Sequence, residues 1–190
     1  MKVIAINGSA RGNKGNTQIL LNTVGKVLQE NDIEFEIITL ANKNLNPCKG
    51  CLSCKDKNAC IQDDDINDIY QQLIAADGII LGSPTYFGNV TSRMQMFIER
   101  VGFISRNNEN PLKGKVGTPV TVARRAGTTF VYAALNYFFG IMEMPIATSS
   151  YWNMAIGRLP GEVEQDEEGM KTMETLGQNM AEMLKKLRTE

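Results

Sequence analysis

Four cysteines lie within one short stretch of this 190-residue chain and carry its most distinctive chemistry. They are Cys48, Cys51, Cys54 and Cys60, separated by two, two and five residues. A [4Fe–4S] cluster needs four thiolates that converge on a small cube, and these spacings allow one loop to wrap it. Gly50 lets the backbone approach closely, so that N–H groups can bond to sulfur. The spacing therefore favours one self-contained iron–sulfur cluster.

Other interpretations of the cysteine stretch stay open. Zinc is bound by four cysteines in many structural sites, but these usually split into two well-separated Cys-x2-Cys pairs. Disulfides are typical of oxidising compartments, and exposed cysteines can also oxidise after purification. A loop without metal is a further alternative. Lys49, Lys55 and Lys57 would offset the negative charge of a thiolate-bound cluster, or they form an ordinary solvated basic loop.

A polar loop over residues 8–17 links the first predicted strand to the first predicted helix. Backbone N–H groups at a helix N-terminus are unpaired and carry partial positive charge, which favours a phosphate. Ser9, Asn16 and Thr17 add neutral donors, and Arg11 adds positive charge. The alternative is an ordinary tight turn with a threonine cap. The loop matches neither a Walker A motif nor Gly-x-Gly-x-x-Gly.

Two further loops follow predicted strands. Residues 83–90 combine two aromatic side chains with backbone N–H donors, which is what binding a flat heteroaromatic ring requires. The alternative is a turn whose two aromatic side chains belong to the core. Residues 123–129 carry two arginines and two hydroxyls, which bind a ligand or form a solvated basic turn. Ligands of open α/β sheets bind beyond the carboxyl ends of the strands. The three loops therefore describe one site.

Strands and helices alternate along the chain, which predicts a single α/β domain over residues 1–190 with a doubly wound parallel sheet. A cysteine-rich insertion over about residues 42–62 follows the second strand, and a C-terminal helix spans about residues 164–188. The predicted strands are Lys2–Ile6, Phe35–Leu40, Gly78–Gly82, Pro119–Ala123 and Pro145–Tyr151. The helices between them are centred on Leu20–Leu28, Ile66–Ile74, Thr91–Ile104 and Thr128–Phe139, and the final helix covers Glu164–Arg188.

Composition excludes several function classes. The chain has no histidine, which removes Ser-His-Asp and Cys-His catalysis and histidine metal ligands. Its net charge of -1 argues against nucleic acid as the main partner. No apolar run reaches the roughly 20 residues of a membrane span, and the N-terminus lacks an apolar signal core. We therefore expect no membrane span and a cytoplasmic location.

The loops resemble a known family. Gly-Ser-x-Arg with Gly-Asn-Thr downstream, and then Gly-Ser-Pro-x-Tyr-Phe-Gly, are similar to the flavodoxin-like NADPH-dependent FMN reductase superfamily. The stretch Pro-Cys-x2-Cys-x2-Cys-x5-Cys resembles its iron–sulfur flavoprotein branch. The resemblance covers about residues 1–150 in the family's order. It implies a five-stranded sheet in the order 2-1-3-4-5 and FMN as the prosthetic group.

The resemblance also assigns roles to residues. No side chain is implied as a catalytic residue, because the chemistry occurs on FMN. The implied metal ligands are the four cysteines. The implied FMN-binding residues are Ser9, Arg11, Asn16 and Thr17 in the first loop, Pro84, Thr85, Tyr86, Phe87, Gly88 and Asn89 in the second, and Ala123, Arg124, Arg125 and Gly127 in the third.

These features predict an FMN-dependent oxidoreductase with a [4Fe–4S] cluster. The resemblance implies electrons from ferredoxin or NAD(P)H, a quinone or oxygen species as acceptor, and a homodimer or homotetramer with the flavin at subunit contacts. One alternative is an FMN-only NAD(P)H:quinone or flavin reductase. Another is a non-enzymatic carrier like flavodoxin, although such carriers are usually strongly acidic. A signalling receiver domain would need an acidic pocket after the first strand, and Asn7, Gly8 and Ser9 supply no acid there.

Overall fold

The structure is a computed structural model that describes residues 1–188. Its five strands form one parallel sheet in the order β2-β1-β3-β4-β5, which confirms the predicted topology. The strands are β1 (Lys2–Asn7), β2 (Glu34–Thr39), β3 (Gly78–Pro84), β4 (Val116–Ala123) and β5 (Met154–Ile156). The helices are α1 (Asn16–Glu30), α2 (Ile66–Ala75), α3 (Ser92–Arg106), α4 (Thr128–Ile141) and α5 (Glu167–Arg188).

Helices cover both faces of the sheet. Because the central strands β1 and β3 are buried on both faces, their sequences are nearly continuous apolar runs rather than alternating ones. The apolar sides of α1 and α5 form one core with the sheet. Those of α2, α3 and α4 form a second core on the opposite face. This arrangement leaves the loops at the carboxyl edge of the sheet free to build a site.

Short hydrogen bonds draw the loops at that edge together. The Thr91 hydroxyl, before α3, donates to the carbonyl of Gly8 at 2.7 Å. The backbone N–H of Thr85 donates to the carbonyl of Val122 at 2.8 Å. The segments after β1, β3 and β4 are thereby fixed to one another, as the doubly wound fold predicts.

The fifth strand lies later in the chain than predicted. Residues Pro145–Tyr151 do not form it, and only Ile146 makes an isolated bridge, to Gly117. The strand is Met154–Ile156, which pairs with the last three residues of β4. Pro119 in the middle of β4 has no N–H to donate to a neighbouring strand. The hydrogen-bond ladder between the strands is interrupted beside Pro119. There the buried Asn153 side chain donates to the Pro119 carbonyl at 3.0 Å.

Two other boundaries differ from the prediction. Strand β4 begins at Val116 rather than Pro119, because both faces of this strand are buried from its first residue. The C-terminal helix begins at Glu167, after a separate 3-10 turn over Glu162–Gln165. Asp166 separates the two, accepting a hydrogen bond from the N–H of Gly169 at 3.0 Å. None of the helices within residues 1–188 combines the length and apolar character that crossing a bilayer requires.

Candidate functional site

The first loop leads into α1, and its backbone is partly paired, since the N–H groups of Ser9 and Arg11 donate to the side chains of Asn7 and Ser9 at 2.9 and 3.2 Å. Gly15, which precedes α1, provides no side-chain cap. The amide of Asn16 is occupied by the chain after β5, donating to the Leu159 carbonyl at 2.9 Å and accepting from the Gly161 N–H at 2.8 Å. The hydroxyl of Thr17 is buried and has no hydrogen-bond partner. Of these two neighbours, Thr17 therefore has a free donor and Asn16 holds the loop in place.

A cavity of about 210 Å³ lies at this edge of the sheet. Thr17 and Thr85 contribute two buried hydroxyl oxygens that have no hydrogen-bond partner. Three arginines and no acidic residue lie among its lining residues. An anion that accepts hydrogen bonds is the ligand this lining fits. The lining residues are Ser9, Arg11, Asn16, Thr17, Pro84, Thr85, Tyr86, Val122, Ala123, Arg124, Gly157 and Arg158.

The remaining predicted residues lie outside this cavity. Tyr86 and Asn89 bond to each other through their backbones at 2.9 and 3.1 Å, and the two residues between them have positive φ. This tight turn leaves the Phe87 side chain fully exposed. Gly127 adopts φ +93°, and a Cβ there would lie 2.8 Å from Thr85, so glycine allows the third loop to reach the second. The predicted residues outside the lining are Phe87, Gly88, Asn89, Arg125 and Gly127.

The sequence did not indicate the contribution of the segment after β5. Gly157 and Arg158 line the cavity, and the Arg158 carbonyl accepts a hydrogen bond from the Arg11 guanidinium at 3.0 Å. Because the fifth strand was predicted too early in the chain, this segment was not recognised as a loop at the carboxyl edge. With the fifth strand correctly located, Arg158 directly after Ile156 and Gly157 would have indicated a basic loop at this edge.

The four cysteines line a second cavity. It is small, about 20 Å³, and also touches Gly50, Arg100 and Phe103. Cys54 is buried, Cys51 is exposed, and Cys48 and Cys60 are intermediate. The Gly50 N–H donates to the Cys48 sulfur at 3.4 Å, as the sequence suggested for this glycine. The four cysteines thus line one shared cavity near the protein surface.

Side chains of neighbouring elements hold the cysteine loop. Asn108 donates to the Cys54 carbonyl at 2.9 Å. Asn67 of α2 accepts from the Cys60 N–H at 2.8 Å and donates to its carbonyl at 2.9 Å. The Cys54 thiol lies 3.8 Å from the carbonyl of Phe103 and donates to it. The loop is therefore anchored to α2 and to the end of α3.

The cysteines differ in acidity. Burial raises the pKa of the Cys54 thiol, and the other three cysteines nearby add to this shift. Hydrogen bonds from the backbone and side chain of Ser53 lower the pKa of Cys51. The four cysteines are free thiols in this structure. Within residues 1–188, no group of three or more His, Cys, Asp or Glu side chains is arranged to hold a metal ion.

The two cavities lie at different ends of α3. The helix begins at the carboxyl edge, where Thr91 bonds to Gly8, and the cysteine cavity touches Phe103. Twelve residues at 1.5 Å each separate these positions by about 18 Å along the helix. The cysteine loop starts at the same edge as the first cavity, but its cysteines lie further along α3.

The fold and the two cavities define a class: an open α/β protein of the flavodoxin type, with an arginine-lined cavity at the sheet edge and a separate group of four thiols. The model of the NADPH-dependent FMN reductase family matches residues 1–158. The chain therefore belongs to the NADPH-dependent FMN reductase family.

Comparison with individual proteins agrees with this membership. An iron–sulfur flavoprotein of Methanocaldococcus jannaschii is 38% identical over 97% of this chain and 98% of its own length. One from Archaeoglobus fulgidus is 34% identical, with 96% and 95% covered. The WrbA-like flavodoxin from Agrobacterium tumefaciens shares the fold, with a TM-score of 0.68 at 14% identity over 97% of each chain. The chain lies in the branch whose relatives are named iron–sulfur flavoproteins.

Proposed function

We propose that this protein is an FMN-dependent oxidoreductase with a [4Fe–4S] cluster, which passes electrons between a reduced donor and an acceptor. The donor is ferredoxin or NAD(P)H, and the acceptor is a quinone or an oxygen species. The observation that carries the proposal is the presence of two separate cavities on one chain, one lined by arginines and free hydroxyls and the other by all four cysteines.

The first cavity fits the phosphate end of FMN. Buried hydroxyls without partners cost free energy, so the free oxygens of Thr17 and Thr85 favour a ligand that accepts hydrogen bonds. Arg11, Arg124 and Arg158 supply the positive charge. Its volume of about 210 Å³ is below the roughly 300–1,000 Å³ of typical ligand sites. We infer that it holds the phosphate end, while the ring lies on the open surface beside Tyr86 and Phe87.

The second cavity fits an iron–sulfur cluster. The four cysteines line this cavity together, and they lie in one continuous loop rather than in the two well-separated pairs that are usual for structural zinc. Gly50, Leu52, Asp56 and Asn58 have positive φ, which bends the backbone of this loop sharply at four positions. Four thiolates around a cube are the donors of a [4Fe–4S] cluster. We also infer a cytoplasmic location, where thiols stay reduced and available to a cluster.

FMN exchanges one or two electrons and the cluster exchanges one. Together the two cofactors would therefore connect two-electron partners with one-electron partners. The protein's own residues would bind the phosphate, hold the thiols and cover the ring. The lining of the first cavity contains no carboxylate or histidine placed as an acid or base. This is consistent with chemistry that occurs on the cofactor.

We also infer a homo-oligomer, a dimer or tetramer, from an apolar surface on α3 and α4. Phe130, Tyr137 and Ile141 lie on one face of α4 and are 71%, 78% and 59% exposed. Beside them runs a mostly apolar groove of about 1080 Å³ between α3 and α4. Contiguous apolar surfaces of this kind usually mark protein interfaces. A second copy of the chain is the partner that would cover it.

The same contact would bring the cysteines close to a flavin. Within one chain, the two cavities share no lining residue, and the cysteine cavity touches the C-terminal half of α3. Leu52 and Phe103 line both the cysteine cavity and the groove. A subunit seated in the groove would therefore lie against the cysteine loop. We propose that electrons pass between the cluster of one subunit and the FMN of its neighbour.

Three measurements on anaerobically purified protein test the proposal. Mass spectrometry of the released cofactor is expected to find FMN, and a predominance of FAD would contradict the phosphate site. Steady-state oxidation of NADH and NADPH with an added quinone separates an enzyme from a carrier. No turnover with either nucleotide, or with reduced ferredoxin as donor, would leave only the carrier function. Iron and labile-sulfide analysis separates the proposed enzyme from an FMN-only reductase.

A further inference from the structure

Arg100 of α3 is buried beside the cysteine cavity. Its side chain is 1% exposed and forms an ion pair with Asp64, whose side chain is 0% exposed. One terminal nitrogen donates to the Asn46 carbonyl and to Asp64, both at 2.8 Å, and the other donates to Asp64 at 3.0 Å. Both ends of the guanidinium fork are therefore fixed by partners.

The third nitrogen of Arg100, Nε, differs from the other two. It is buried and has no hydrogen-bond partner. Arg100 is also one of the residues that line the cavity of the four cysteines. A buried N–H without a partner costs free energy, because it has lost its hydrogen bond to water and has formed no hydrogen bond within the protein. The position of this group points to an acceptor that belongs in the cysteine cavity.

Arg100 and Cys60 line the same cavity, and Asp64 balances the charge of the guanidinium. Burial lowers the pKa of the guanidinium, but the Asp64 carboxylate and the Cys60 side chain outweigh this effect, and the pKa of Arg100 is raised. The pKa of Asp64 is lowered, since hydrogen bonds from Arg100 and Asn46 outweigh the effect of burial. The pair is thus charged on both sides and close to neutral as a unit.

We propose that the Arg100 Nε–H donates a hydrogen bond to the Cys60 sulfur of the assembled cluster and raises the reduction potential of that cluster. This inference rests on the proposed [4Fe–4S] site. A reduced cluster carries one more negative charge than an oxidised one, so an N–H···S bond stabilises the reduced form more. Because Asp64 balances the charge of Arg100, the effect comes from the N–H group and not from net charge.

The test replaces Arg100 with lysine, since Arg100→Lys keeps the charge for Asp64 but removes the Nε–H. The matched control is Arg93→Lys. Arg93 lies seven residues earlier on α3 and donates to the Leu40 and Lys43 carbonyls at 3.0 Å, but it does not line the cysteine cavity. Both substitutions remove a guanidinium that anchors the loop, and only one removes the proposed donor.

The measurement is the midpoint potential of the cluster, from a redox titration monitored by electron paramagnetic resonance. We expect Arg100→Lys to favour the oxidised cluster about tenfold, which lowers the potential by about 59 mV for one electron. Arg93→Lys should keep the wild-type potential. Equal potentials in Arg100→Lys and wild type, both with full iron content, would overturn the role of Arg100 and leave the cluster itself intact.

A second measurement needs no variant. Wild-type protein with nitrogen-15 at Nε of its arginines is reduced and studied by pulsed electron paramagnetic resonance. A nitrogen-15 coupling to the reduced cluster is expected, since Arg100 is the arginine that lines the cavity. A reduced cluster without this coupling would overturn the inference even if Arg100→Lys fails to fold. Wild-type protein that binds no iron would overturn both this inference and the proposed cluster.

Discussion

Two adjacent residues at the start of α1 have different roles. Asn16 uses both ends of its amide to hold Leu159 and Gly161, so it connects the first loop to the segment after β5. The hydroxyl of Thr17 is buried and forms no hydrogen bond with another protein group. The sequence predicted both as ligands because both side chains can donate hydrogen bonds. It could not separate them, since the partners of Asn16 lie more than 140 residues further along the chain.

Replacing Thr17 with valine tests the phosphate site. Valine keeps the shape but removes the hydroxyl, so a buried phosphate oxygen would lose its donor. We expect FMN binding to weaken by about 1–3 kcal/mol. The dissociation constant of the apoprotein for FMN measures this change. Thr23→Val is the control, because the Thr23 hydroxyl already donates to the Ile19 carbonyl on the same helix at 3.0 Å. Unchanged affinity in Thr17→Val would remove Thr17 from the site.

Replacing Cys51 with alanine tests the independence of the two sites. The cysteine loop and the lining of the first cavity share no residue. We therefore expect Cys51→Ala to abolish cluster assembly and to leave FMN bound. Iron and flavin are quantified in protein prepared without oxygen. Ser53→Ala, in the same loop, should keep its iron. Full iron content in Cys51→Ala would show that this cysteine is not a ligand.

The anchoring of the cysteine loop belongs to the scale of elements. Arg93, Arg100 and Asn108 lie on or just after α3 and bond to carbonyls about 50 residues earlier in the chain. A sequence indicates a loop by its glycines and polar residues, but not which distant helix holds it. The ligand spacing was therefore predictable, whereas the position of the cysteines along α3 was not.

The boundary between β4 and β5 shows a similar limit. The doubly wound parallel sheet followed from the alternation of strands and helices, because each parallel pair needs a crossover connection, whereas its strand order was implied by the resemblance to the family. The exact fifth strand did not follow, since Met154–Ile156 is three residues long and is preceded by another extended segment that touches β4 at Gly117. The deciding contact is made by Asn153, a polar residue that would not be expected in a core.

Replacing Asn153 with alanine tests that junction. Its amide donates to the Thr118 hydroxyl at 2.9 Å and to the Pro119 carbonyl at 3.0 Å in a fully buried position. We expect a loss of about 2–3 kcal/mol in the free energy of unfolding, measured with urea, because buried acceptors lose their donor. Asn22→Ala, at an exposed position on α1, should change it by about 0.5 kcal/mol or less. Equal stability of the two variants would contradict this role.

At the scale of the whole molecule, the proposed assembly is tested on the exposed face of α4. Tyr137→Glu places a charge in the centre of the apolar surface, and burying it at an interface would be costly. We expect this variant to have the mass of a monomer in analytical ultracentrifugation, while wild type sediments as a dimer or tetramer. Leu187→Glu is the control, since this exposed leucine lies on α5, away from the groove. If the Tyr137→Glu variant is still oligomeric, the interface lies elsewhere on the molecule.

The central claim is that one chain holds both FMN and an iron–sulfur cluster. The most direct test is the ratio of iron to flavin in wild-type protein that has been purified without oxygen. The account predicts about four irons per FMN, with a matching amount of labile sulfide. Stoichiometric zinc, or iron-free protein that resists reconstitution, would contradict the cluster and leave only the FMN site.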